Sequence, residues 1–318
     1  MTQSPYAPQL ASPNDPSATS RTVQPASRTS RRVQFMGGNG FNLAGIVDSA
    51  TPQGDGSIPI VVFSHCFTCN KDLKAIVRIS RALAASGVTV LRYDMTGLGG
   101  SDGDFSWTNF STNVADLRAA IRFAADELGP VTGLVGHSFG GAASLAVAGS
   151  GELPESMTVA AVATLAAPSD TQHLADLMDR RNPKIAKEGS GEVEIGGRSW
   201  TIRREMTADF RSHRLSDQIT RLQKPLMIFH SPADETVDFD QAMRIYQLAS
   251  LRPSGVTPPP VSLICLEGAD HLLATQPEDL HYVTGLLAAF FKRHASPPTG
   301  ERRRPSDSGG ENGAIGKD

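Results

Sequence analysis

The sequence predicts an α/β fold in which a mostly parallel central sheet carries helices on both faces. Between about residues 33 and 294, apolar runs of strand length alternate with segments of helical periodicity, and this alternation is typical of parallel strands joined by crossover helices. The runs at residues 131–135 and 225–230 are mostly apolar, as strands buried on both faces are. Each is followed directly by a turn-rich segment, where side chains with a function are expected.

The predicted elements begin with a hairpin. Residues 33–35 and 43–47 are two short strands joined by a Gly-rich turn at residues 37–40. Residues 71–86 carry an apolar stripe at helical spacing, and residues 114–128 form a second predicted helix. The other predicted strands cover residues 58–65, 88–93, 131–135, 159–165, 225–230 and 261–266.

The chain is predicted to form one domain between two polar tails. Residues 31–294 are of ordinary length for a single α/β domain. Residues 1–30 are rich in Pro, Ser, Thr and Gln, and residues 295–318 are charged and rich in Gly. Because neither tail has apolar clusters that could offset the entropy of ordering, we expect both to be disordered.

Residues 169–223 interrupt the alternation of strands and helices and are predicted to form a small cap. Within them, residues 192–202 predict a hairpin, since alternating residues flank Gly196-Gly197. The cap offers six apolar candidates for lining a pocket, although we expect most of them to serve in packing. They are Met178, Ile185, Trp200, Ile202, Met206 and Phe210.

Composition is that of a soluble enzyme. The chain has 39% hydrophobic residues, a formal net charge of −3 and a pI near 6.2, which favours neither nucleic acid nor an anionic membrane as partner. No segment resembles a signal peptide or approaches the roughly 20 apolar residues of a membrane span. We therefore expect a cytoplasmic protein that acts on a small molecule, and the sequence does not predict its oligomeric state.

The most informative motif is Gly136-His137-Ser138-Phe139-Gly140. A strand-like run precedes it and a stretch of small residues follows it, which is the context of a nucleophile elbow. At such a sharp turn, glycines allow the two backbones to pass closely while the serine projects outward. Ser138 is therefore the predicted nucleophile.

A serine nucleophile needs a base and an acid that orients the base, and in this fold both follow the serine in loops after late strands. Asp234 lies in the loop after the strand at residues 225–230 and is the predicted acid. His271 lies in the loop after the strand at residues 261–266 and is the predicted base.

Neighbouring acids compete with this assignment. Asp238 and Asp240 lie in the same loop as Asp234, and Asp240 is a candidate N-cap for a helix that begins near residue 241. Asp270 is a candidate for shaping the turn before His271. Asp234 is preferred because it lies nearest the end of its strand.

An oxyanion site needs two backbone donors. One is the N–H of Phe139, directly after the nucleophile, and the other is predicted to be the N–H of Phe67, in the loop after the third strand. Cys66 stands before Phe67 where many such enzymes have Gly, which makes the conformation of this loop less predictable.

The chain has three cysteines, two of which form Cys66-x-x-Cys69. Without a second pair they do not complete a four-ligand zinc site, and no metal or other cofactor is predicted. We expect both thiols to be reduced, as is usual in a cytoplasmic protein, and we expect closure of the pair to distort the Phe67 donor. Cys265 lies in a predicted strand and is expected in the core.

Four stretches carry a resemblance to the hydrolase half of bacterial bifunctional α/β-hydrolase/OsmC proteins. They are residues 65–74, 92–101, 136–141 and 230–237, and the similarity extends from about residue 33 to about residue 294. The resemblance implies the α/β-hydrolase fold and a Ser-Asp-His triad. The OsmC domain that often follows the hydrolase in that family is missing from this sequence, so no peroxidase role is expected.

These observations together predict a serine hydrolase that cleaves an ester, thioester or amide through an acyl-Ser138 intermediate. A carboxylesterase is the first expectation, and an aminopeptidase of the proline-iminopeptidase type is the alternative. A noncatalytic binding protein on the same fold is an alternative of another class.

Overall fold

The structure, a computed structural model, describes residues 28–51, 58–157, 159–252 and 256–295. The strands are β1 Arg28–Met36, β2 Asn42–Ala50, β3 Ile60–Ser64, β4 Thr89–Tyr93, β5 Gly133–His137, β6 Ala161–Leu165, β7 Ser190–Ile195, β8 Arg198–Arg203, β9 Leu226–His230 and β10 Val261–Cys265. The α-helices are α1 Lys74–Ala85, α2 Phe110–Glu127, α3 Phe139–Gly149, α4 Gln172–Arg181, α5 Lys184–Glu188, α6 Arg204–Ser212, α7 Leu215–Arg221, α8 Phe239–Ser250 and α9 Pro277–Ala295.

Eight of the strands form one sheet in the order β1-β2-β4-β3-β5-β6-β9-β10. β2 runs antiparallel to its neighbours β1 and β4, and every other neighbouring pair is parallel. The predicted mostly parallel sheet is therefore confirmed, together with the opening hairpin.

Helices cover both faces of this sheet. Along β3, Val61 and Phe63 pack in the cluster that contains α1 and α9, whereas Val62 packs in the cluster that contains α2, α3 and α8. Because successive side chains of a strand point to opposite faces, both faces need apolar residues. This is why the central strands are nearly continuous apolar runs.

The chain between β6 and β9 forms α4, α5, the β7–β8 hairpin, α6 and α7, in the region predicted to be a cap. Gly196 and Gly197, at the hairpin turn, both have positive φ, of 60° and 73°, as a two-residue turn of type I′ requires. Of the six apolar candidates in this region, only Met178 lines the cavity described below. The other five are packed in or against the core, as expected.

Three features differ from the sequence-based expectations. β1 begins at Arg28 and α9 ends at Ala295, each inside a segment expected to be a tail, and residues 1–27 and 296–318 of the predicted tails lie outside the described residues. Cys265 is exposed, because β10 is an edge strand with only β9 beside it. The residue before α8 is Asp238, so the suggested N-cap at Asp240 is wrong and Asp240 lies in the first turn.

Candidate active site

Ser138 occupies the turn between β5 and α3. β5 ends at the residue before it and α3 begins at the residue after it. Its φ is +53°, in the left-handed region that is unfavourable for residues other than glycine. Its backbone N–H donates to Leu165 O at 2.7 Å, which ties the turn to the end of β6. The turn therefore directs the Ser138 side chain away from the sheet.

Two glycines make this turn sterically feasible. A Cβ on Gly136 would lie 2.2 Å from Gly140 O, and a Cβ on Gly140 would lie 2.4 Å from Ser64 O. Both neighbours are backbone atoms, which cannot rotate away as a side chain could. Only glycine therefore fits at either position.

Ser138, His271 and Asp234 form a hydrogen-bonded chain, although they come from three different loops. His271 Nδ1–H donates to Asp234 Oδ2 at 2.8 Å. The Ser138 hydroxyl lies 3.0 Å from His271 Nε2, to which it can donate. The imidazole is thus placed to take a proton from the serine while the carboxylate fixes its orientation.

The loop after β9 holds the Asp234 carboxylate in an ionised form. Its Oδ1 accepts the N–H groups of Thr236 and Val237 at 2.8 and 2.9 Å, which leaves Oδ2 for His271. Burial alone raises the pKa of Asp234, but the hydrogen bond from His271 and the two backbone donors outweigh it and hold that pKa below its usual value.

His137 fixes the loop that carries His271. Its Nε2–H donates to the backbone oxygen of His271 at 2.7 Å. Burial, with the nearby His271 ring, lowers the pKa of His137 to about 3, so the ring stays neutral and keeps this geometry at ordinary pH. This contact joins two segments far apart in the sequence, so it becomes visible only in the fold.

The competing acids have other surroundings. Asp270 Oδ1 accepts the N–H groups of Ala274 and Thr275 and so shapes the turn after His271. The carboxylate that reaches His271 belongs to Asp234 and not to Asp238 or Asp240.

The two proposed oxyanion donors lie at the same cavity as Ser138. Phe67 and Phe139 both line it, and their rings pack edge to face with centroids 5.3 Å apart. Among the described residues, neither backbone N–H donates to another protein group. Neither N–H is therefore occupied by another described residue.

Cys66 and Cys69 are joined by a disulfide, so the expectation of two reduced thiols is wrong. The pair is three residues apart and closes one turn of the loop, with Cys69 N–H donating to Cys66 O at 3.2 Å. With the disulfide closed, the Phe67 N–H has no acceptor among the described residues.

The cavity beside Ser138 has a volume of about 280 Å³ and is mainly apolar. Its apolar lining includes Phe67, Leu174, Leu177, Met178, Ile195 and Val237. Arg181 also lines it, with its Nη1 donating to Glu194 O at 2.9 Å. No Asp or Glu side chain belongs to the described lining. A larger surface groove of about 630 Å³, beside α2 and α7, contains none of the three hydrogen-bonded residues.

The described residues contain no group of three or more His, Cys, Asp and Glu side chains arranged to hold a metal ion. They also contain no helix that combines the length and the apolar character needed to cross a membrane.

Comparison with protein families gives one clear match. The sequence profile of the alpha/beta hydrolase family matches residues 61–281, which is more than two thirds of the chain. A comparison with curated proteins finds no significant match.

Solved structures agree with the family match. The chain is similar to the esterase domain of a Rhodothermus marinus protein, with 36% identity over 84% of this chain and 100% of that one, and a TM-score of 0.63. Est1E from Butyrivibrio proteoclasticus, solved with ferulic acid bound, is 21% identical over 82% of this chain and 99% of that one, with a TM-score of 0.67. The Pyrococcus furiosus esterase Pf2001 is 17% identical over 85% and 92%, with a TM-score of 0.60. The last two likenesses concern the fold alone.

Proposed function

Because this chain belongs to the alpha/beta hydrolase family, we propose that it is a serine carboxylesterase with Ser138 as its nucleophile. The observation that carries the proposal is the chain of hydrogen bonds from Ser138 through His271 to Asp234. Three side chains from distant loops have no structural need to meet in this order, whereas general-base activation of a serine requires it.

The geometry supports the following steps. Ser138 Oγ attacks the ester carbonyl carbon while its proton passes to His271 Nε2, and the Asp234 carboxylate stabilises the resulting imidazolium. The carbonyl oxygen becomes an oxyanion held by the N–H groups of Phe67 and Phe139. His271 then gives the proton to the leaving alcohol. Water, activated by the same imidazole, cleaves the acyl-Ser138 intermediate and releases the acid.

The cavity favours an ester with an apolar acyl group. The lining side chains can bury such a group, while an aminopeptidase would need an anion beside the free amino group of its substrate. No carboxylate belongs to the described lining, which makes the aminopeptidase alternative the weaker one. We also propose that the segment between β6 and β9 acts as a cap, since it supplies Leu174, Leu177, Met178 and Ile195 to that lining.

A panel of p-nitrophenyl esters with acyl chains of increasing length, assayed beside aminoacyl anilides, tests this function. We expect hydrolysis of the esters and little of the anilides. A noncatalytic binding protein would hydrolyse neither and would not react with a fluorophosphonate.

A further inference from the structure

The peptide group between Cys66 and Phe67 carries one of the proposed oxyanion donors. Its C=O and N–H point in opposite directions, because the peptide is trans. Whatever fixes Cys66 O on one side therefore also fixes the direction of the Phe67 N–H on the other. Cys66 O accepts two hydrogen bonds, from Cys69 N–H at 3.2 Å and from His65 Nδ1–H at 2.8 Å.

His65 is held in the tautomer that this contact needs. Met95 N–H donates to His65 Nε2 at 3.1 Å, so that nitrogen is unprotonated and the ring proton lies on Nδ1. The ring is almost fully buried, and burial lowers the pKa of His65, which keeps it neutral. His65 thus connects the Cys66 carbonyl to the chain just after β4.

The disulfide closes the other side of the same turn. The bond from Cys69 N–H to Cys66 O makes residues 66–69 a β-turn, with Thr68 in its third position at φ +60°. That position suits glycine, because a residue with a Cβ is strained there. Thr68 is also β-branched, so an unconstrained loop would tend to leave this conformation. The Cys66–Cys69 bond ties together the two ends of the turn and so opposes that change.

We propose that the Cys66–Cys69 disulfide and His65 are positioning groups for the Phe67 donor, so that ester hydrolysis is fast only while the disulfide is closed. The proposal rests on the proposed function and adds to it a dependence on the redox state of one cysteine pair. Cys66 is buried behind the donor and both cysteines line the cavity, so the pair is close to the reacting atoms without taking part in bond making.

Reduction removes one of the two constraints. Breaking the S–S bond requires two electrons and two protons, which a dithiol such as dithiothreitol supplies while it closes to its own cyclic disulfide. The turn can then relax at Thr68 and move the Phe67 N–H off the oxyanion. Complete loss of one such donor costs about 10²–10³ in kcat, and we expect a displaced donor to cost about tenfold or more. KM should change little, since the donor acts on charge that develops in the transition state.

The experiment measures kcat and KM of the purified chain with and without dithiothreitol, at a temperature where near-ultraviolet circular dichroism shows both forms folded. Cys265→Ser is the matched control, because it removes the remaining thiol of the three-cysteine chain and should keep the full response. Cys69→Ser should resemble the reduced enzyme and no longer respond. A trifluoromethyl ketone, which binds serine as an oxyanion, should lose affinity on reduction in parallel with kcat.

A second arm leaves the disulfide intact and alters His65. His65→Asn can still donate to Cys66 O, whereas His65→Leu cannot, so we expect Asn to retain more of kcat than Leu at similar KM. A role in packing alone would favour leucine in this buried place. Equal kcat of the two folded variants would overturn the part of the proposal that concerns His65.

Two results would overturn the role of the disulfide while leaving the proposed function intact. One is a reduced enzyme whose kcat stays within twofold of the oxidised enzyme while fluorophosphonate still labels Ser138. The other is a chain that retains three reactive thiols under mildly oxidising conditions. Failure of fluorophosphonate to label Ser138 in either redox state would instead overturn the proposed function, and this inference with it.

Discussion

Replacement of Asp234 by asparagine tests the hydrogen-bonded chain at its buried end. Asp234 Oδ1 accepts two backbone N–H groups and Oδ2 accepts the His271 ring proton, so the carboxylate acts only as an acceptor. An asparagine has one carbonyl oxygen for these two positions. If that oxygen keeps the backbone donors, its NH2 group faces His271 Nδ1. If the amide rotates so that its oxygen faces His271, the NH2 group faces the backbone N–H groups of Thr236 and Val237.

The first arrangement satisfies more donors and places the wrong tautomer of His271 at the site. A donor facing Nδ1 favours the ring proton on Nε2, where it points at Ser138 and prevents the imidazole from accepting the serine proton. The corresponding change in a serine protease lowers kcat about 10⁴-fold. We expect a loss of about 10³–10⁴ in kcat for Asp234→Asn, which corresponds to roughly 4–5.4 kcal/mol of transition-state stabilisation.

The assay is steady-state hydrolysis of p-nitrophenyl butyrate, with the rate of fluorophosphonate labelling as a second readout. Asp238→Asn and Asp240→Asn are the matched controls, since they change nearby carboxylates that do not contact His271, and both should stay within twofold of the wild type. The reasoning is refuted if folded Asp234→Asn keeps more than a tenth of wild-type kcat, or if either control loses activity instead.

Three further results are expected. The free energy of unfolding should fall as the pH drops from about 6.5 towards 3, because the unfolded chain then binds a proton at His137 that the folded chain excludes. In urea titrations, His137→Asn should reduce the slope of the unfolding free energy against pH by about 1.4 kcal/mol per pH unit. An unchanged slope would contradict this prediction. Gly140→Ala should unfold or greatly destabilise the protein, because its Cβ would lie 2.4 Å from a backbone oxygen. Gly285→Ala in α9 has open space around the added Cβ and should raise the melting temperature. Similar melting temperatures for the two variants would refute the steric account. Arg181→Met should lower kcat/KM about two- to fivefold for esters whose acyl chain ends in a carboxylate and leave neutral esters unaffected, because Arg181 lines the cavity. Arg180→Met is the control. Equal effects of the two changes would show that Arg181 does not select the substrate.

Local sequence patterns were sufficient for most of the fold. β3 and β4 are short runs rich in β-branched and apolar residues, whereas α1 carries a longer apolar stripe at helical spacing, so all three could be assigned from their own residues. The turn at Ser138 was also predictable, because the steric requirement for glycine on both sides acts within five residues. The order of residues along the chain predicted Ser138, Asp234 and His271 as the catalytic candidates, and the structure brings these three side chains within hydrogen-bond distance of one another.

What the sequence did not reveal depends on contacts between distant segments. Nothing in the sequence shows the partners of His65 and His137. In the structure, His65 donates to the backbone oxygen of Cys66, and His137 donates to the backbone oxygen of His271. The prediction that Cys265 lies in the core was wrong, because the pattern of apolar residues cannot distinguish an edge strand from a central one. The Cys66–Cys69 bond was not predicted, because the reduced state expected of thiols in a cytoplasmic protein does not depend on the turn that brings these two sulfurs together.

Covalent capture of Ser138 tests the proposed chemistry most directly. The chain is treated with a fluorophosphonate, and intact mass and peptide mapping then locate the adduct, with Ser138→Ala and Ser150→Ala, at the far end of α3, assayed in parallel. We predict one adduct per chain on Ser138 and ester hydrolysis that falls in proportion to labelling. Folded Ser138→Ala should lose at least about 10³-fold in kcat. Ser150→Ala should be labelled and should hydrolyse esters as the wild type does. An adduct elsewhere, or a folded Ser138→Ala that keeps more than a tenth of wild-type kcat, would contradict the assignment of Ser138 as the nucleophile.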